Sequence, residues 1–159
     1  ALFQAFANQC NSYEDKVDLC GLSLGGLLAL DYAKAYPQKV NSLIVIGTPY
    51  EIPKRLFQLQ SCLFHLMPQS TFTKMGSTKQ DFLALVKSMA HLAIADGLEN
   101  IKCPVLILCG EKDRANQKSA IKMHEYLKQS KYQQIQAAAH EVNKENPLEL
   151  AKAMVDFWC

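Results

Sequence analysis

The sequence predicts an α/β fold: a parallel sheet of about four strands with flanking helices and one helical insertion. Three observations point to it. Leu43–Ile46 and Val105–Cys109 are short continuous apolar runs, the pattern of parallel strands covered on both faces. Stretches with apolar residues at helical spacing alternate with these runs. A glycine-rich turn, Gly21-Leu22-Ser23-Leu24-Gly25-Gly26, joins a short strand directly to a helix.

In chain order, Leu2, Phe3 and Phe6 stand at helical spacing within residues 1–10, and Asn11 to Lys16 is a polar turn. Val17–Cys20 reads as a short buried strand, and the helix after the turn, Leu27 to Tyr36, stops at Pro37. Leu43–Ile46 follows, broken by Gly47-Thr48-Pro49. Strand, helix and strand in that order form a right-handed βαβ unit.

Residues 49–97 change character. Arg55 to Met67 carries Leu56, Leu59, Leu63 and Leu66 on one stripe with Phe57 and Phe64 beside it. Pro68 to Gln80 is a polar break, and Asp81 to Ala95 is a second apolar helix with Phe82, Leu85, Val86, Met89 and Leu92. The segment reads as an all-helical cap inserted after the second strand; the competing reading packs both helices on the sheet.

The strand Pro104–Cys109 comes next, with its turn at Gly110 to Arg114 and a helix from about Gln117 to Gln129. Tyr132 to Gln136 is a more polar strand, as suits a sheet edge. Ala137 to His140 is a loop. Asn146-Pro147 then starts the last helix as a capping side chain followed by proline. That helix puts Leu148, Ala151, Val155 and Trp158 on one face. The expected organisation is a core in two parts, 1–48 and 98–159, with the cap at 49–97 between them.

The bulk properties fit one domain with a sizeable core: 159 residues, 49% hydrophobic and 20% charged. Lys plus Arg is 17 and Asp plus Glu is 15, so the net charge is only +2, which argues against a nucleic-acid partner. The six cysteines, at 10, 20, 62, 103, 109 and 159, form no C-x-x-C pair, so a zinc site is not expected. Cys20, Cys103 and Cys109 lie in or beside apolar strands, where free thiols act as small hydrophobes. That usage points to a reducing, cytoplasmic compartment. The most apolar stretch, Leu22 to Leu30, is far too short to span a bilayer.

The glycine-rich turn carries the chemistry. A Walker A loop would need Lys and then Ser or Thr after Gly26, where Leu27 and Leu28 stand; a dinucleotide fingerprint would need glycine in place of Ser23. What remains is G-x-S-x-G between strand and helix, the nucleophile elbow. Small neighbours at Gly21 and Gly25 let the two elements approach, and the serine oxygen is pushed out at the strand's C-terminal end. The helix's free N–H groups, beginning with Leu24, can hold an oxyanion there. The bland alternative is an ordinary turn serine.

A serine hydroxyl is a poor nucleophile at pH 7 and needs a base, itself oriented by a third group. Loops leaving the C-terminal ends of parallel strands converge on one rim. Ser23, Asp113 and His140 each follow a predicted strand by a few residues, so all three face that rim. Asp113 could instead be a cap or turn residue and His140 a plain loop histidine. His65, His91 and His124 lie within predicted helices, Asp18 inside a strand, and Asp31 two turns along the helix after Ser23. The order Ser, Asp, His is much more specific than any one of the three.

With these residues in place, the chain resembles the α/β-hydrolase family, in its branch of esterases, lipases and related serine hydrolases. Gly21–Gly26 matches the family's elbow, Pro104 to Asp113 the strand and turn that carry the acid, and His140 with Glu145-Asn146-Pro147 the histidine loop leading into the last helix. Ala139 stands where the family usually has glycine. The resemblance covers nearly the whole chain and implies a serine hydrolase acting on a small or medium acyl ester. Ser23 would be nucleophile, His140 base, Asp113 its partner and Leu24 an oxyanion donor, with no metal or cofactor. The apolar cap suggests an acyl pocket lined by side chains such as Leu56, Leu63 or Phe64. The same triad serves thioester or carbon–carbon bond hydrolysis and acyl transfer, and a hydrolase fold can also persist as a non-catalytic binding module.

The family's sheet normally has about four more strands and an oxyanion loop ahead of the helix that residues 1–10 resemble. The expectation is therefore that the 159 residues are the C-terminal part of a longer enzyme. The strand at 17–20 would then expose a hydrophobic edge available for self-association.

Overall fold

The computed structural model describes residues 2–50, 64, 67–74, 78–89 and 95–159. The chain divides into two compact units, residues 1–50 with 94–159 and residues 51–93, and each is considered by itself.

In the larger unit, helix α1 (Leu2–Asn11) leads to strand β1 (Val17–Leu22), helix α2 (Leu24–Ala35), a 3-10 turn at Pro37–Lys39 and strand β2 (Val40–Ile46). Strand β3 is Val105–Gly110 and strand β4 is Ser130–Ile135. The four strands form one parallel sheet in the order β1-β2-β3-β4, with Cys20 opposite Ile44, Ile44 opposite Leu106 and Leu106 opposite Lys131. Helix α2 packs on β1 and β2, and the last helix brings Leu150 and Ala153 onto Ile44, Ile46, Leu106 and Leu108.

β2 and β3 are buried along nearly their whole length, as central parallel strands must be. Alternate residues divide between the faces. Ile44, Ile46, Leu106 and Leu108 pack with Ile135, Ala138, Val142, Leu150 and Ala153. Leu43, Val45, Val105 and Ile107, also buried, belong to the opposite face. β4 alternates between half-buried and exposed positions and buries only Ile135, which agrees with its expected place at an edge.

Burial departs from the apolar pattern of the sequence at two places. Cys20 is exposed, although it lies in β1 opposite the buried Ile44. The last helix, Pro147–Trp158, buries Leu150 and Ala153 and packs Met154 and Phe157 on the core, while Leu148, Val155 and Trp158 face outward. The helix carries two apolar stripes, and its rotation is set by polar contacts at its start. Asn146 Oδ1 accepts the Glu149 N–H at 3.3 Å, and Glu149 Oε2 accepts the Gln136 N–H at 2.8 Å. At its end, Trp158 Nε1 donates to Ser42 Oγ at 2.8 Å, and Ser42 donates on to Asp18. Asp18 is thus committed to a structural network.

The smaller unit is described in part. Residues 69–74 form a short helix where a polar break was expected, because Phe72 is buried against Phe82 with ring centroids 5.3 Å apart. The following helix, Lys79–Met89, starts at Thr78, whose Oγ1 accepts the Asp81 N–H at 3.1 Å. Phe64 packs edge-on against Phe82. Leu56 and Leu63, most of the helix expected at Arg55–Met67, and His65 and His91 lie outside the described residues. Among the described residues, no helix is long and apolar enough to cross a membrane.

Candidate active site

The elbow is built by backbone crowding. Ser23 sits between β1 and α2 with φ 53° and ψ −112°, a conformation that L residues avoid. Its N–H donates to the Ile46 carbonyl at 2.7 Å, which ties the turn to the end of β2. A Cβ on Gly21 would lie 2.2 Å from the Gly25 carbonyl carbon, so strand and helix meet there without a side chain. A Cβ on Gly26 would lie 2.0 Å from Thr48 Oγ1. One on Gly25 would meet nothing within 4 Å. The two crowded positions are therefore Gly21 and Gly26, which refines the expected pair of Gly21 and Gly25.

α2 begins at Leu24, and Leu27 makes the first helical bond back to Ser23 O at 3.2 Å. The N–H groups ahead of it, Leu24's among them, have no carbonyl to meet within the helix. They make the N-terminal end of α2 electropositive beside Ser23.

The acid and the histidine come together directly. Asp113 follows the turn after β3 and precedes helix α5 (Arg114–Tyr126), where α3 and α4 are the two helices of the smaller unit. His140 Nδ1 lies 2.8 Å from Asp113 Oδ2, with side-chain exposures of 44% and 5% respectively. A buried carboxylate behind a half-exposed imidazole is the arrangement that fixes the tautomer with the proton on Nδ1 and leaves Nε2 free to accept one. Among the described residues no hydrogen bond joins Ser23 to His140; such bonds commonly tighten only around a substrate.

β2 connects the two halves. Gly47, one residue beyond the carbonyl that holds Ser23, has φ +53°. A Cβ there would lie 3.1 Å from His140 Nδ1 and 3.3 Å from Asp113 Oδ2. The backbone of Gly47 is thus a floor under the imidazole–carboxylate pair.

The histidine loop is pinned by carboxylates. Glu111 Oε2 accepts the Ala137 N–H at 2.8 Å, and Glu145 accepts those of Ala139 at 2.8 Å and Glu141 at 3.2 Å. Ala137 has φ 57°, so the loop is held in a bent form. Lys112 N–H donates to Ala138 O at 2.8 Å, and a Cβ on Gly110 would lie 2.0 Å from Ala139 O. Glu145 is therefore more than the start of a helix motif, since it orders the loop that presents His140.

Asn116 was not anticipated as a neighbour of this pair. Its Nδ2 lies 3.0 Å from Asp113 Oδ1, 2.9 Å from Oδ2 and 3.3 Å from His140 Nδ1. An Asn three residues after the acid, one turn into the helix the acid caps, is the signal that could have found it. Below the pair, Cys109 Sγ lies 3.8 Å from the Asp113 carbonyl. Burial, and then the charge of Asp113, push its thiol up to about 12, so it stays neutral and unreactive. At the rim, the exposed Glu141 carboxyl is held below its ordinary range, chiefly by its hydrogen bond to Lys144.

Comparison with known proteins gives the following likenesses. A family model described as "PGAP1-like alpha/beta domain" matches residues 2–105. A provisionally named 2-succinyl-6-hydroxy-2,4-cyclohexadiene-1-carboxylate synthase of Bacillus subtilis is 23% identical over 179 residues, covering 89% of this chain and 65% of that protein. A pimeloyl-[acyl-carrier protein] methyl ester esterase of Aromatoleum aromaticum is 56% identical over 34 residues, 21% of this chain and 14% of that one. The chain thus spans less than two thirds of the length of these relatives. An esterase from Exiguobacterium antarcticum superposes with a TM-score of 0.75 at 21% identity, over 98% of this chain and 73% of that chain. MenH from S. aureus does so with a TM-score of 0.71 at 19% identity, over 98% and 73%. These superpositions carry the fold.

Proposed function

The chain belongs to the PGAP1-like alpha/beta domain family and has the α/β-hydrolase fold; from that premise we propose that it is a serine hydrolase cleaving carboxylic esters through an acyl-enzyme. The observation that carries the reading is the 2.8 Å bond between His140 and the buried Asp113, beside the β2 end that holds the strained Ser23.

In this reading Ser23 Oγ attacks the ester carbonyl while His140 Nε2 takes its proton. The carbonyl oxygen, now negative, takes a hydrogen bond from the Leu24 N–H. Collapse breaks the acyl–oxygen bond, and His140 returns the proton to the departing alkoxide. Water then repeats the sequence on the acyl-enzyme and releases the acid. Asp113 keeps the imidazole in the required tautomer and supports it when protonated. Losing one oxyanion donor typically costs about 10²–10³ in rate, so a second donor beside Leu24 belongs to the working site. The substrate is a small-molecule acyl ester, with Leu56, Leu63 and Phe64 as acyl contacts proposed on the sequence alone. Self-association through the edge at residues 17–20 and a cytoplasmic setting are likewise proposals from the sequence.

Turnover of matched ester, thioester and β-diketone substrates tests the reading. Hydrolysis of esters above the others, abolished in Ser23→Ala, supports it. Preference for thioester or diketone moves the activity to the other chemistries open to the same three residues. No turnover of any class favours a non-catalytic binding module.

A further inference from the structure

We propose that Asn116 is a positioning residue for the Asp113–His140 pair, fixing the carboxylate so that Oδ2 serves the imidazole while Oδ1 keeps a donor of its own. The inference rests on the serine-hydrolase reading and deepens it.

Asp113 stands just ahead of α5 and Asn116 is the helix's third residue, so the amide folds back over the carboxylate. Its Nδ2 is 3.0 Å from Oδ1 and 2.9 Å from Oδ2. That orientation follows from chemistry, because an amide oxygen turned toward an ionised carboxylate would place acceptor against acceptor. His140 must carry its proton on Nδ1 to donate to Oδ2 across 2.8 Å. The same nitrogen cannot then accept from Asn116 at 3.3 Å, and the amide protons are left to the carboxylate. Among the described residues, Asn116 is the side chain that donates to Oδ1, on a carboxylate that is 5% exposed. A buried charged oxygen without a donor is strongly disfavoured, so without Asn116 the carboxylate would turn to share its remaining donor, His140.

Sharing negative charge with an amide also lowers the pull of the carboxylate on the imidazolium. Among the described residues, the other ionisable groups nearest the pair are Cys109, Glu141 and Glu145. Cys109 beneath it is held neutral by burial, Glu141 is engaged by Lys144, and the Glu145 carboxylate accepts the N–H groups on either side of His140. The turn at Gly47 contributes backbone alone. Removing the amide should therefore move the acid limb of the kcat/KM profile to higher pH, and replacing it by a carboxylate should move it further.

The test uses the purified protein with Asn116→Ala and the isosteric Asn116→Asp. The expected result for Asn116→Ala is a fall in kcat of about tenfold with KM changed less than about twofold, as for loss of a hydrogen bond to a charged group. The acid limb should shift upward in both variants, more in Asn116→Asp. A second readout does not need turnover: the His140 Nδ1 proton, followed by NMR, should exchange with water faster in Asn116→Ala. A lowered Tm with unchanged kcat, unchanged acid limb and unchanged exchange would overturn the role. If the unmodified protein turns over no substrate, the hydrolase reading fails, while proton exchange still decides whether Asn116 holds the pair.

Discussion

Gly47→Ala separates the geometry of the site from the stability of the fold. The backbone there has φ +53°, and an alanine in the left-handed region costs roughly 1–2 kcal/mol. For a chain of this size that lowers Tm by about 2–8 °C. The new methyl would stand 3.1 Å from His140 Nδ1, 3.2 Å from its Cε1 and 3.3 Å from Asp113 Oδ2. Each contact is tighter than ordinary packing, so the imidazole must retreat by a few tenths of an ångström. It can do so, being half exposed, whereas the buried carboxylate behind it cannot. A misplacement of about 1 Å in a catalytic group costs about 10²-fold, so a shift of about a third of that should slow acylation about fivefold. The assay is the second-order rate of labelling by a fluorophosphonate, measured alongside thermal unfolding at a temperature where both forms are folded. Wild-type labelling in a folded Gly47→Ala protein would show that the β2 turn does not support His140, and would refute the reasoning.

Other outcomes follow from the same geometry. Gly21→Ala and Gly26→Ala should yield little folded protein, since their methyls would meet the Gly25 backbone at 2.2 Å and Thr48 Oγ1 at 2.0 Å. Gly25→Ala should fold at least as stably as the parent, gaining up to about 1 kcal/mol of helix propensity; equal soluble yields for all three would contradict this account of the elbow. Cys109 makes stability fall at high pH: burial raises its thiol from 9.0 to about 12, so the unfolded chain releases that proton first. Its contribution is fully present below about pH 9 and is lost as pH rises toward 12, by up to about 4 kcal/mol. Urea unfolding across that range should show a shallower loss in Cys109→Ala, and parallel curves would refute the assignment.

What could be read from the sequence was what steric necessity or sheet topology dictates. G-x-S-x-G announced the elbow because only glycine permits strand and helix to meet at Gly21. Asp113 and His140 could be paired from far apart because parallel strands deliver their following loops to one rim. Features decided by what lies across a gap were hidden. Cys20, between Leu19 and Gly21 in a short apolar run, reads as a small core residue, and its exposure shows only in the fold. The last helix has two apolar stripes, and the choice of the one with Leu150 and Ala153 rests on Asn146 and Glu149 gripping its start. The helix at 69–74 is too short to show a period and depends on one buried aromatic, Phe72. Asn116 escaped notice because an exposed-looking polar residue in a helix declares its role only once the acid is seen to sit one turn before it.

The central claim, that Ser23 is a nucleophile activated by His140 and Asp113, is met most directly by treating the protein with a fluorophosphonate and locating the adduct by peptide mass spectrometry. A single adduct on Ser23, absent in Ser23→Ala and formed at least 10²-fold more slowly in His140→Ala, is the predicted result. An adduct on another residue, or labelling that persists in Ser23→Ala, would contradict it.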